Sequence, residues 1–176
     1  MRYSNLPSQN FLRSIISYDA ATGRMIWKRR PDQTKTWNTR FAGKDAGYLS
    51  PERGYITVRI NCRLYSGHRV AWAIAHGGVP EGKQIDHING NRADNRLSNL
   101  RLATNAENAR NDGKARPSNK SGMRGVSFHP FSQLWRARLT KDGKEIFTAY
   151  FKTAEEARAA YMQAAQHHFG QFARMR

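Results

Sequence analysis

Hydrophobic positions along the chain change period several times, and each change marks an element. In "FLRSIISYDAATGRMIWKRR" the spacing predicts a short helix over about Asn10–Ser17, a turn at Ala21–Gly23 and an apolar strand at Met25–Trp27. A basic, tryptophan-containing loop follows. Gly54–Ile60 then alternates with period two, and Arg63–Tyr65 has the character of its hairpin partner. From His68 the spacing of Val70, Ala71, Ile74 and Ala75 turns helical, until Gly77-Gly78 stops it.

The apolar signal then thins out. Asp86–Asn111 reads "DHINGNRADNRLSNLRLATNAENARN", with asparagine at 89, 91, 95, 99, 105, 108 and 111. Lys83–His87 predicts a short strand that delivers Asp86 and His87 side by side. Asn89-Gly90-Asn91 is turn chemistry, because both residue types tolerate left-handed backbone and Asn bonds nearby main chain. Asp94-Asn95 and Ser98-Asn99 extend a loop, and Leu100–Leu102 supplies a second strand. Thr104 and Glu107 stand at capping-box spacing, so a helix is expected to begin there with Asn108 facing inward.

Strand periodicity returns after "NDGKARPSNKSG", the best linker candidate at about 113–122. Arg124–His129, Leu134–Thr140 and Lys144–Phe151 predict three strands, the last two joined by a Lys141-Asp142-Gly143 hairpin. Thr153 and Glu156 form a second capping box, opening a helix to about Phe169. Ala157, Ala160, Tyr161, Ala164 and Ala165 line one face of it, small enough to lie close on a sheet. Trp135, Ala137 and Leu139 then face the helix, which leaves Arg136, Arg138 and Thr140 on the open side. An arginine-bearing sheet face of this kind can enter a major groove. For any one arginine, a solvated surface charge is the competing reading.

Charge narrows the choice of partner. The 176 residues hold 30 Lys+Arg against 13 Asp+Glu, a formal +17. Such an excess argues for a polyanion, since neutralising phosphates releases condensed counterions. Interleaving of the charges with Trp, Tyr and Phe favours nucleic acid over a membrane surface. The single cysteine, Cys62, excludes an intrachain disulfide and a thiolate-rich zinc site. No apolar run approaches a membrane span, and Met1–Pro7 lacks a signal-peptide core. A cytoplasmic protein without membrane association is the expectation.

The asparagine segment carries the candidate chemistry. Asp86 and Asn108 offer a carboxylate and a carboxamide oxygen, donors that suit a hard cation such as Mg²⁺. A neutral His87 beside that cation could take a proton from water. These are the parts of a one-metal phosphodiesterase. Spacing alone leaves a second reading open, in which the asparagines are only turns.

"HRVAWAIAHGGVPEGKQIDHINGNRADNRLSNLRLATNAENARN" resembles the HNH endonucleases of phages and mobile introns over about 68–111. The resemblance implies an α+β fold with a ββα-metal core, preceded by N-terminal hairpin and helix elements. It implies a homing-type DNA endonuclease, with His87 as general base and Asp86 and Asn108 holding one Mg²⁺ (or Mn²⁺) per site. Asn99 takes the middle position and orients the histidine's loop. Asn89, Asn91 and Asn95 are then loop-bracing. His68 reads as structural, and Arg69 as a candidate phosphate contact. Residues 1–112 form the expected nuclease domain.

Residues 123–170 resemble the Apetala-two/ethylene-response-factor type DNA-binding domain, a three-stranded antiparallel sheet packed on one helix. "RGV", the hairpin and "FKTAEEARAAY" carry that likeness. The implied contacts are Arg124, His129, Arg136, Arg138 and Phe147, with 171–176 a basic tail. Ser127 and His129 stand where plant members have arginines, and Arg138 where they have an acid, so no target sequence follows. Double-stranded DNA is the expected partner, bound by a monomer or a homodimer. A DNA-binding protein with a decayed core is the rival, disfavoured because Asp86, His87, Asn99 and Asn108 are all present. An RNA-binding protein is a second rival, for which no stacking platform is found.

Overall fold

A computed structural model describes residues 6–111 and 118–173. Residues 113–117 of the expected linker and 174–176 of the expected tail lie outside the described residues, as do 1–5. The chain divides into two compact units, Met1–Asn105 and Ala106–Arg176.

The first unit opens with α1 (Gln9–Ile15), capped by the Ser8 hydroxyl accepting from the Phe11 amide. β1 (Ile16–Tyr18) follows without a loop and pairs antiparallel with β2 (Met25–Trp27). Asp19 builds the turn between them, accepting from the Ala21 amide at 2.9 Å and the Thr22 hydroxyl at 2.7 Å. The expected basic loop holds a helix, α2 (Lys35–Phe41). Thr34 caps it, and Trp37 packs at 5.7 Å between ring centroids on Trp27.

β3 (Gly47–Leu49), β4 (Ile56–Ile60) and β5 (Arg63–Ser66) form a meander, and α3 (Gly67–His76) follows directly. Leu12, Ile16, Val58, Ile60 and Val70 form the centre of this core, all essentially inaccessible to solvent. β6 (Gln84–His87) and β7 (Leu100–Ala103) then pair antiparallel, with Asp86 opposite Arg101 and His87 opposite Leu100. A 3-10 turn at Leu97–Asn99 precedes β7.

In the second unit, α4 (Asn105–Asn111) begins directly after Thr104, as the capping signal predicts. The unit division therefore groups nearly all of α4 with the C-terminal residues. β8 (Val126–His129), β9 (Leu134–Lys141) and β10 (Lys144–Phe151) make an antiparallel sheet with β9 central. Asp142 and Gly143 both take positive φ, the conformation a two-residue hairpin turn needs. α5 (Ala154–Phe169) starts with the expected Thr153–Glu156 capping box and buries Ala157 and Ala165. Val126, Ala137 and Ala157 form the small core between sheet and helix.

Candidate active site

β6 presents Asp86 and His87 as adjacent residues. Adjacent strand residues point to opposite faces, and both are nonetheless buried, at 5% and 4% exposure. Arg101, the cross-strand partner of Asp86, donates from Nε at 3.0 Å and from Nη2 at 2.9 Å to the same carboxylate oxygen, Oδ2. A buried carboxylate without such a partner would be costly in this position. Sequence reasoning missed Arg101, although it follows from the hairpin register.

His87 sits in a shell of rings. His68 stands edge to face with it, centroids 4.9 Å apart, and Tyr55 lies 5.9 Å away. Arg92 in turn stacks over Tyr55 at 4.9 Å. Burial pulls the His87 pKa below its ordinary value, opposed by the hydrogen bond to Asn95 and by the Asp86 and Asp94 charges. At neutral pH the ring is therefore predominantly neutral, the state a base requires. His68 is driven further, to about 3, by burial and then by the nearby His87 and Arg69. Its Nδ1 is buried and finds no hydrogen-bond partner.

The loop between the two strands is pinned at several points. Asn99 accepts from the Asn89 amide at 2.9 Å through Oδ1 and donates from Nδ2 to the Asp94 carbonyl at 2.8 Å. The Ile88 amide donates to the Asn99 carbonyl at 2.9 Å. Asn99 thus ties the start and the middle of the loop to one side chain. Asn89 donates to Asp94, and its Oδ1 accepts from the Asn91 amide; Asn91 does the same for the Ala93 amide. Asn89 and Asn91 are loop-bracing in the literal sense. Arg96, with help from Asn89, lowers the Asp94 pKa to about 2.

Asn95 does more than brace. Its Oδ1 lies 3.2 Å from His87 Nε2. The Tyr18 hydroxyl donates to its carbonyl at 2.7 Å, and the Leu97 amide donates to the Ala20 carbonyl. Gly23, at φ +76, approaches so closely that a Cβ would stand 2.6 Å from the Asn95 carbonyl carbon and the Arg96 nitrogen. The β1–β2 hairpin is therefore a buttress for the loop.

Asn108 lies half-buried on α4, and Arg69 half-buried on α3. Asp86, held at Oδ2 by Arg101, offers a carboxylate of the oxygen type that a hard cation takes. Among the described residues no cluster of three or more His, Cys, Asp or Glu occurs.

In the second unit, Ser127, His129, Arg136, Arg138, Thr148 and Tyr150 share the face of the sheet turned away from α5, by the observed register. Tyr150 was not anticipated there; it is 46% exposed and packs on the His129 ring at 5.6 Å. Phe147 does not join them. A bulge between Glu145 and Phe147 sets Phe147 opposite Leu139, so it packs with the helix-facing core. Arg124 is tied inward, donating to the Arg110 carbonyl at 2.8 Å. Arg138 pairs with Glu145 at 2.7 Å. Arg110, Arg124, Arg136 and Arg138 line one cleft of about 720 Å³ with Tyr161 and Phe169.

Residues 65–110, which hold Asp86, His87 and Asn99, match the HNH endonuclease family. Protein 3.8 of Escherichia phage T7 is 38% identical over 109 residues, covering 62% of this chain and 88% of the phage protein. The chain is thus similar to Protein 3.8 over most of that protein's length, and its segment 65–110 carries the HNH endonuclease match. An uncharacterized HNH endonuclease of Acanthamoeba polyphaga mimivirus is 36% identical over 107 residues, or 60% of this chain. A Bacillus subtilis SPbeta prophage protein, whose name includes the words HNH homing endonuclease, is 30% identical over 87 residues, or 49% of this chain. The chain spans 54% and 46% of these two HNH relatives. No solved structure matches it. No helix among the described residues is long and apolar enough to cross a membrane.

Proposed function

We propose that the protein is a metal-dependent, homing-type DNA endonuclease in which His87 activates water and the C-terminal module holds the duplex. The observation that carries this reading is the buried Asp86–His87 pair inside the HNH-matched segment, with His87 kept neutral beside a carboxylate. His87 accepts a proton from water as the oxygen attacks phosphorus. Asp86, bonded by Arg101, and Asn108 would supply oxygens to one Mg²⁺ (or Mn²⁺), an assignment that rests on the family resemblance. When bound, that ion polarises the phosphate and stabilises the leaving 3′ oxygen.

Double-stranded DNA is the substrate that the family and the charge favour together. The open sheet face with His129, Arg136 and Tyr150 is the proposed reader, and Arg124 and Phe147 support it from behind. One core per chain suits nicking by a monomer; a homodimer would cut both strands.

The test is incubation of supercoiled plasmid with the protein and Mg²⁺, against EDTA and His87→Ala controls. Nicked or linear DNA formed only by the wild-type protein with metal is expected. Equal cutting by His87→Ala, or no product on any DNA, overturns the reading.

A further inference from the structure

Asn95 enters the sequence reading only as one more loop asparagine, yet its side chain lies within hydrogen-bond distance of the His87 ring. We propose that Asn95 is a positioning residue that fixes the tautomer of His87, holding the proton on Nε2 and assigning the lone pair to Nδ1. This deepens the nuclease reading, since it names which nitrogen of the base takes the proton.

The geometry supplies the reason. Asn95 Oδ1 stands 3.2 Å from His87 Nε2. A carboxamide oxygen only accepts, so the nitrogen facing it must donate. The neutral ring has one N–H, and a partner that claims it at Nε2 leaves Nδ1 as the basic nitrogen. After proton transfer the ring carries N–H at both positions, and the same Asn95 oxygen accepts from the imidazolium. One hydrogen bond thus serves the ring before and after the step: water loses a proton to Nδ1 while its oxygen bonds to phosphorus, and the P–O3′ bond breaks with its electron pair leaving on the 3′ oxygen.

Such a role requires that Asn95 itself not move. It is 2% exposed. Its carbonyl accepts from Tyr18, whose hydroxyl stays a donor because burial, then Asp19 and Asp94, push its pKa to about 12. Gly23 presses on its backbone from the β1–β2 turn, and Gly67, at the start of α3, leaves room for its Nδ2, which a Cβ would approach to 2.9 Å. Tyr55 and His68 confine the other faces of the His87 ring. Backbone, side chain and ring are each held by a different element.

The experiment is a long-range ¹H–¹⁵N correlation spectrum of the full chain with ¹⁵N-labelled histidine, free of metal, at a pH where His87 is neutral. The wild-type protein is expected to show the Nε2–H pattern for His87. Asn95→Asp keeps an acceptor and is expected to keep that pattern. Asn95→Ala is expected to give a mixture of tautomers, with turnover on plasmid reduced about 10–100-fold, as for other partners that orient functional histidines. An Nδ1–H pattern in the wild type overturns the proposal. So does a folded Asn95→Ala protein whose His87 keeps an undiminished Nε2–H pattern. Should Asn95→Ala not fold, the wild-type and Asn95→Asp spectra decide. A protein with the Nε2–H pattern that cuts no DNA sinks the nuclease reading and leaves the tautomer assignment standing.

Discussion

His68 and His87 stand edge to face with their ring centroids 4.9 Å apart, and neither ring can take a proton there without cost. The consequence is a pH-dependent fold. His68 titrates near 6.5 when unfolded and at about 3 when folded, so below 6.5 the unfolded chain binds the extra proton. Stability is therefore full above that pH and is lost as pH falls from about 6.5 toward 3, at up to about 1.4 kcal/mol per pH unit for one group. The lowered pKa of His87 acts in the same direction. Thermal melts at pH 7.5 and pH 5 check this, with a lower midpoint expected at pH 5. His68→Phe keeps a ring in place and is expected to flatten the dependence.

Arg101→Ala leaves the Asp86 carboxylate buried without its guanidinium. Breaking a buried pair from one side costs about 3–5 kcal/mol, and a loss of that size is expected in urea unfolding. Replacing both partners by apolar residues, Asp86→Leu with Arg101→Met, is expected to recover most of the stability while abolishing nuclease activity. A double variant no more stable than Arg101→Ala would show that the pair contributes more than mutual satisfaction.

Asn99→Ala removes the side chain that ties Asn89 to Asp94. The orphaned Asn89 amide and Asp94 carbonyl are only partly buried, so each is expected to cost less than the roughly 1–3 kcal/mol of a fully buried group. Faster amide hydrogen exchange at Asn89 and at Ile88 is expected, together with a fall in DNA cleavage. Unchanged exchange at both amides would remove Asn99 from the orienting role.

Gly125 carries φ +71, and a Cβ there would fall 2.1 Å from the Tyr161 ring and 2.9 Å from the Arg138 carbonyl oxygen. Gly125→Ala therefore combines backbone strain with a clash between β8 and α5. The expected result is a C-terminal unit destabilised by more than about 1 kcal/mol, read as new protease cuts within 118–173. Gly122→Ala has open space around its Cβ position and is the milder control, although its own φ of +67 carries strain.

The parts of this fold that sequence revealed are those with a local cause. Thr153 and Glu156 cap α5 as their spacing demands, and Asp142-Gly143 turns the β9–β10 hairpin because both can adopt positive φ. α2 escaped notice because its apolar content is Trp37 and Phe41 alone, and their value lies in contact with Trp27, remote in sequence. β1 was hidden because Ile15 and Ile16 are contiguous, which ran strand into helix. Phe147, an implied contact by resemblance alone, is turned inward by a single bulge: strict alternation from Lys144 would point it outward, and one extra residue turns it in. At the site, type and spacing drew attention to Asp86 and His87, while Asn99 stood out only through the family resemblance. Arg101 and Asn95 were not legible, since an ion pair across a ladder and a contact across a loop depend on register.

That register has a consequence for how the chain finds its fold. Asp86 and Arg101 face each other across β6 and β7. Slipping the strands by a single residue would turn one of the two charges to the wrong side and strand the other in an apolar setting. Only one alignment of the hairpin satisfies both. The ion pair that steadies the candidate metal ligand therefore also acts as a detent, stopping the two strands in the one position where His87 reaches Asn95.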